Sequence, residues 1–428
     1  MDRSTLVAAM EARTGAILAD IETLVRCESP SSVPDAVAKS AGLVAAVGQQ
    51  HLGTPPEVIV LDGCPHLRWR LGNDPASGTP QSPPGGTAPR TPQSPPGGTT
   101  PRTPQCRVLV LAHHDTVWPL GSLGTHPFSV ADGILRGPGC FDMKAGLVLA
   151  LHALAVLGVP DGVTLLVTGD EEIGSPSSRA LIEAEAAGCT AALVLEASAD
   201  GGALKTARKG VSLYQVRAVG RAAHAGLEPE RGVNATVELA RQVLAVAGLG
   251  DAARGTTVTP TALSSGTVAN TVPAAGAFSV DVRMWDTAEQ ARVHAAMSSL
   301  LPAVPGAALE ISGGPNRPPL AASSSAALFA LASSIAAELG LAPLKSASVG
   351  GASDGNFTAG VGTPTLDGLG AVGGGAHADH EHVLVDALPG RAALLTALID
   401  NLLAAGLATG GAEAVGLGAG GPATWGNA

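Results

Sequence analysis

Seven residues in this chain can bind cations or move protons, and they recur at comparable places in the sequence. His113 and Asp115 follow an apolar run, Val108-Leu109-Val110-Leu111, that reads as a strand buried on both faces. Lying two apart in extended chain, their side chains point to the same side. Asp142 follows the turn Gly137-Pro138-Gly139 and stands at the start of an expected apolar helix over 143–157. Glu171 and Glu172 follow a second apolar strand at 163–167, and Glu196 closes a third at 191–195. His377 lies in a glycine-rich loop much further along. Taken singly these are bland, since a strand-edge histidine is usually a hydrogen-bonded structural residue and a Glu-Glu pair a solvated loop. Taken together the carboxylates would repel one another unless a cation neutralised them. Two imidazoles with three carboxylates suit zinc, cobalt or manganese better than calcium or magnesium. Five ligands exceed one tetrahedral ion and suit two ions that share a bridging carboxylate.

The elements that must position them alternate. Strands and helices from 107 to 196 run β-α-β-α-β with acidic residues at strand ends, the pattern of a mostly parallel sheet with its site in the crevice at the strands' carboxyl edge. Upstream, helices fit 4–25, with Ser4 as N-cap, and 35–47; strands fit 57–61 and 66–71 about a Gly63-Cys64-Pro65 turn. At about residue 207 the texture changes. Strand 211–219, helix 234–249 with Asn234 as N-cap, strands 256–267 and 277–284, helix 287–301 and strand 308–312 make a β-α-β-β-α-β order, a ferredoxin-like split βαβ module inserted in the first domain. The sheet domain resumes with a helix at 324–339, a strand at 363–366 and a closing helix at 388–405. The expected fold is α/β: a catalytic domain over 1–206 and 317–405 around a mostly parallel sheet, with an inserted domain at 207–316.

Between the second and third strands, TPQSPPGGTAPR is followed by TPQSPPGGTTPR and the start of a third copy. This Pro/Gly-rich stretch, 74–105, has little to bury and is expected to be disordered, as is the Gly-rich tail 406–428. It reads as an insertion in a surface connection that splits a strand pair, tolerated because loop-closure entropy grows slowly with length. Hydrophobic residues make up 45% of the 428, enough for sizeable cores, but aromatics only 2%, too few for base-stacking platforms. The net charge of −11 argues against nucleic-acid binding. Five dispersed cysteines with no CxxC pair suggest reduced thiols, and Cys140 reads as a small buried side chain in its glycine turn. Without an apolar leader or a run of 18 apolar residues, a cytoplasmic protein with no membrane partner is expected.

The motifs HHDTV, GPGCFDMKAG, TGDEEIGS, VLEAS, GRAAHAG with GVNA, NTVP with DVR, GGASDGNF and GGGAHADHEHV occur in one order across about residues 10–405. In order and spacing the chain resembles the di-zinc metallohydrolases that include glutamate carboxypeptidase, acetylornithine deacetylase, succinyl-diaminopimelate desuccinylase and aminoacylase. The run PTLDGLGAVGGGAH is most similar to glutamate carboxypeptidase-type sequences.

The resemblance implies roles. His113 and Glu196 would complete one zinc, Glu172 and His377 the other, with Asp142 bridging, so that each chain holds two zinc ions, cobalt or manganese being substitutes. Asp115 would orient His113. Glu171 would be the general base toward a metal-activated water, returning the proton to the leaving amine. His224, in an inserted lid that usually forms the dimer surface, would stabilise the oxyanion in the partner subunit's site. Asn270 and Arg283, with Arg317, would bind the substrate carboxylate. His114, His380 and His382 read as neighbours of ligands. The implied activity is release of a C-terminal amino acid such as glutamate from a small peptide or N-acyl substrate by a homodimer; an N-acyl amino-acid amidohydrolase or dipeptidase is the alternative.

Overall fold

In the computed structural model, residues 3–72 and 107–409 are described. The expected disordered repeat at 74–105, and the tail from residue 410, lie outside the described residues. In chain order the main strands are β1 (Glu57–Leu61), β2 (Cys64–Leu71), β3 (Val108–His113), β4 (Val163–Thr168), β5 (Ala191–Val194), β6 (Gly210–Val219), β7 (Thr257–Ser265), β8 (Ala275–Met284), β9 (Ala308–Arg317) and β10 (Thr365–Leu366).

The first sheet has the order β1-β2-β4-β3-β5-β10. Its β4, β3, β5 and β10 are mutually parallel, and the β1-β2 hairpin adds an antiparallel edge. Alternation along β3 explains why its sequence is apolar throughout. Val108, Val110 and Ala112 join the large core under the helices Pro34–Leu52, Ala145–Val156 and Leu388–Thr409; Leu109 and Leu111 face a smaller cluster with Ile182 and Phe357. Helix Ala145–Val156 is apolar on every side and buried accordingly. It lies so close to the sheet that a Cβ on Gly146 would run into the Leu195 carbonyl. The stretch Val385–Ala405 is long and apolar enough to cross a membrane, yet 61% of it is buried, with Leu394, Leu395, Leu398 and Ile399 in the core.

The second sheet is antiparallel throughout, in the order β7-β8-β6-β9. Tyr214, Val216 and Ala218 of β6 and Phe278, Val280, Val282 and Met284 of β8 pack with helices Ala235–Ala247 and Thr287–Ser298 into a core of their own. Asn234 caps the first of these helices, its side chain accepting from the Thr236 and Val237 amides.

Four local expectations are corrected. The β1-β2 turn is Asp62-Gly63, both at positive φ (49° and 81°), the geometry of a two-residue type I′ hairpin rather than a turn at Gly63-Cys64-Pro65. The strands on either side of the repeat are not a pair, because β4 lies between β2 and β3. The N-terminal helix is two, Leu6–Glu11 and Thr14–Val25. Asp142 does not open its helix directly: it sits in a wide turn, Cys140–Lys144, with non-helical dihedrals at Asp142 and Met143, and the α-helix begins at Ala145.

Candidate metal centre

The carboxyl ends of β3, β4 and β5 bring the predicted residues together. His113, 1% exposed, is the last residue of β3. Its Nδ1 lies 3.1 Å from the Asp115 carbonyl oxygen and 3.4 Å from Asp115 Oδ1, which aims Nε2 into the site. That Nε2 is 3.4 Å from Asp142 Oδ1 and 3.5 Å from Glu196 Oε1. The other oxygen of Asp142, Oδ2, is 3.3 Å from His377 Nε2, which in turn is 3.1 Å from Glu172 Oε2. One carboxylate therefore stands between two imidazoles, each flanked by a further glutamate.

The surroundings hold these groups in place. Asp115 is fully buried; Oδ1 accepts from the Glu171 amide (3.2 Å) and Oδ2 from the Glu172 amide (3.1 Å) and Ser31 Oγ (2.6 Å). It therefore fixes the Glu171–Ile173 turn as well as His113. Glu196 Oε2 faces the guanidinium of Arg208 at 3.6 Å, and Arg208 is clamped in two-point fashion by Asp367 at 2.7 and 3.0 Å. A Cβ on Gly370 would run into the Leu195 and Glu196 carbonyls, so that glycine lets a loop close over the end of β5.

Whether a cation fits can be read from what is left unpaired. His113 Nε2 and Glu172 Oε1 are buried side-chain atoms without a hydrogen-bond partner, and orphans of this kind cost about 1–3 kcal/mol each unless something else satisfies them. His113, Asp142 and Glu172 each offer a ligand atom within 4.8 Å of the others, as do His113, Glu171 and Glu196. The donor set and the orphaned atoms fit divalent cations. The carboxylates and imidazoles act on one another. The adjacent carboxylates Asp142 and Glu172 push His377 up to about 10, and Asp115, Asp142 and Glu196 together raise His113 well above the usual imidazole range against the effect of its burial. Asp142 is held well below the usual carboxylate range, its two imidazoles outweighing burial.

Glu171 differs from the acidic residues around it. Its Oε1 accepts from Arg317 Nη2 at 2.9 Å, and that nitrogen also reaches Ser175 Oγ (2.7 Å) and Asp354 Oδ1 (3.1 Å). Burial pushes Glu171 well up, and the Arg317 guanidinium opposes that shift. Its Oε1 therefore faces a guanidinium, whereas Glu171 as a whole still stands in the grouping with His113 and Glu196.

Residues 109–401 match the family model of peptidase family M20/M25/M40. The chain belongs to that family. Carboxypeptidase G2 of Pseudomonas sp. (strain RS-16) is 33% identical over 308 residues, 69% of this chain and 74% of its own. An M20 family metallo-carboxypeptidase of Sulfolobus solfataricus shares the fold with a TM-score of 0.66 at 16% identity, over 90% of this chain and 99% of that one. The YXEP protein of Bacillus subtilis, described as a dinuclear metal binding peptidase, aligns with a TM-score of 0.56 at 13% identity over 92% and 99%. The chain is thus a metallopeptidase-type enzyme of a family that works with a dinuclear metal centre, and the cluster above is where this M20 enzyme can hold one.

The remaining predicted residues of the M20 enzyme lie apart from the cluster, with one exception. His224 is exposed on a short ladder with Thr271, its Nδ1 accepting from the Gly226 amide (3.1 Å). Asn270 is exposed beside it, its carbonyl accepting from the Ala225 amide. Arg283 does not present a free fork: Nε and Nη2 each lie 2.8 Å from the carboxylate of Asp281, which shares its sheet face. Arg317 is the exception, being 7% exposed and committed to Glu171 and Asp354 rather than open to a substrate carboxylate. Among the neighbours, Cys140 is buried with its thiol pushed well up, and His114 is buried with its imidazole pushed down to about 4. His380 is exposed, its carbonyl facing His382 Nδ1 at 3.0 Å.

Sequence reasoning missed Ser31, Arg208, Asp354, Asp367 and Glu381. Three of them stood in runs already quoted, Asp354 in GGASD, Asp367 in PTLDG and Glu381 in HADHEH, but as polar letters in loops they carried no periodic signal. A third grouping with ligand potential, Asp20, His51 and His152, lies among the helices. Both imidazoles bond Asp20 Oδ2 (2.7 and 2.8 Å) and Arg13 faces His152 Nδ1 at 3.3 Å, so it reads as a satisfied helix-to-helix clasp.

Proposed function

We propose that this enzyme hydrolyses an amide bond to release a C-terminal amino acid, glutamate or one like it, with two zinc ions per chain. The observation that carries this reading is the shared carboxylate: Asp142 faces His113 with one oxygen and His377 with the other. His113 and Glu196 would hold one ion, Glu172 and His377 the second, and Asp142 both. When bound, such a pair polarises the amide carbonyl and lowers the pKa of water toward about 7.

The chain's own residues do the rest. Glu171 accepts a proton from the attacking water and delivers it to the leaving nitrogen, within reach of both because its turn also carries Glu172. Arg317 and Asp354 keep that carboxylate in one orientation. His224 and Asn270 reach a site from a neighbouring copy, in a homodimer built on the second sheet, which accounts for their exposure within one chain. Support for the C-terminal residue comes from the similarity to carboxypeptidase G2. Zinc-loaded protein assayed against N-acyl amino acids and dipeptides tests the reading: turnover should be highest where the released residue is acidic. Faster release of acetate or succinate from N-acyl substrates with other side chains would favour the amidohydrolase alternative.

A further inference from the structure

Glu381 is a buried acid, 3% exposed, that belongs to none of the roles above. Its two oxygens collect four N–H donors. Oε1 accepts from the amides of Phe141 (2.8 Å) and Asp142 (3.0 Å), and Oε2 from the Gly139 amide (2.9 Å) and Trp118 Nε1 (2.6 Å). These donors come from separate parts of the site. Trp118 is in the loop that leaves β3 past His113 and Asp115, and 139–142 is the wide turn that carries Asp142. Glu381 itself is four residues beyond His377, in a loop closed by its own amide bonding the Ala378 carbonyl at 2.9 Å. Within the wide turn the Cys140 and Lys144 amides bond the Gly137 and Gly139 carbonyls, while those of Gly139, Phe141 and Asp142 go to Glu381, a buried carboxylate being a strong acceptor for them.

We propose that Glu381 is the positioning residue of the metal centre. It ties two ligand-bearing segments, the wide turn of Asp142 and the loop of His377, to the loop that leaves β3, and so sets where Asp142 stands between His113 and His377. This rests on the two-ion reading above. Its effect is unequal across the centre. His113 ends a strand and Glu196 is backed by Arg208, so the inner position keeps two anchored ligands without Glu381. The outer position depends on Asp142 Oδ2 and on His377, whose side chain is 51% exposed, and both are carried by segments that Glu381 holds.

The chemistry predicts that shape alone will not substitute. A glutamine at 381 turns one oxygen into an NH2 group, which faces two N–H donors and removes two hydrogen bonds whichever way it is oriented. Glu28 provides a matched control. It accepts two backbone amides, Gly121 and Leu123 (2.8 Å each), further along the loop that follows β3, and among the described residues makes no hydrogen bond to the wide turn or to the His377 loop.

The test is a competition titration of metal-free protein with zinc against a chromophoric chelator, for wild type, Glu381→Gln, Glu28→Gln and Trp118→Phe. Glu381→Gln should weaken the second equivalent at least about tenfold, within the 10–100-fold range for groups that orient ligands, and leave the first unchanged. Trp118→Phe, which deletes one donor, should shift the second equivalent a few-fold in the same direction, and Glu28→Gln should shift neither. Two equivalents of unchanged affinity in Glu381→Gln, or equal loss of both, overturns the role of Glu381. If Glu381→Gln does not fold, an unchanged second equivalent in Trp118→Phe overturns it instead. A wild type that takes up one equivalent or none overturns the two-ion reading beneath the proposal, and the two failures are told apart by that column of the experiment.

Discussion

Replacing Arg317 by methionine should move the acid limb of the pH–rate profile upward by about two units. Arg317 Nη2 is 2.9 Å from Glu171 Oε1 and 3.1 Å from Asp354 Oδ1. At an effective dielectric constant of about 20, a charge pair at that separation is worth ~6 kcal/mol. Roughly half belongs to Glu171, since Asp354 shares the cation, and ~3 kcal/mol corresponds to about two pH units. The sign follows from burial, which already pushes Glu171 up, with Arg317 as the leading opposing charge. Without the guanidinium the carboxyl keeps its proton to higher pH and cannot act as a base there. Activity at neutral pH should therefore fall and recover as pH rises, whereas Arg317→Lys should restore most of the wild-type profile. Deleting one partner of a buried pair also costs about 3–5 kcal/mol of stability, so profiles belong at a temperature where both variants are folded. The assay is kcat/KM from pH 5 to 10 on one substrate. An acid limb that stays in place, or moves down, would refute the claim that Arg317 governs the protonation of Glu171.

Three further outcomes are expected. Glu171→Gln should lose at least about a hundred-fold in kcat with its metal content intact; refolded with His224→Ala it should recover about a quarter of wild-type activity, because about half the dimers are mixed and each has one whole site. Recovery no greater than that of the separate variants, with mixed dimers confirmed by mass, places His224 outside the neighbour's site. Metal-free protein should lose thermal stability as pH rises from 7 to 10: His377 is raised from 6.5 to about 10 by Asp142 and Glu172, so the folded state binds more protons across that window. Calorimetry in a chelator should show this decline, and with zinc bound, when the imidazole is no longer protonated, the decline should disappear.

Much of the centre was legible because its parts sit where periodic signals end. β3, β4 and β5 announce themselves as short apolar runs, and the polar residues that close them include His113, Glu171 with Glu172 (after Thr168 and Asp170), and Glu196. The second sheet was equally plain, as β6 and β8 alternate and Asn234 marks a helix start. What stayed hidden is held by single contacts between remote segments. Arg208 and Asp367 are 159 residues apart, and Glu381 bonds the Asp142 amide across 239; no local pattern encodes such pairings. The partners of Arg317, expected to bind a substrate carboxylate, were hidden for the same reason, since an arginine's partner is set by tertiary packing and here Glu171 and Asp354 face it. The Asp62-Gly63 turn was legible and misread: an Asp-Gly pair between strand runs is a strong two-residue hairpin signal.

The proposed chemistry requires Asp142 to serve two cations at once. Zinc titration of the metal-free chain, read by native mass spectrometry on wild type and Asp142→Asn, tests that most directly. Two zinc ions per wild-type chain and at most one in Asp142→Asn are predicted. A wild type holding a single ion, or an Asp142→Asn chain that still holds two, would contradict it.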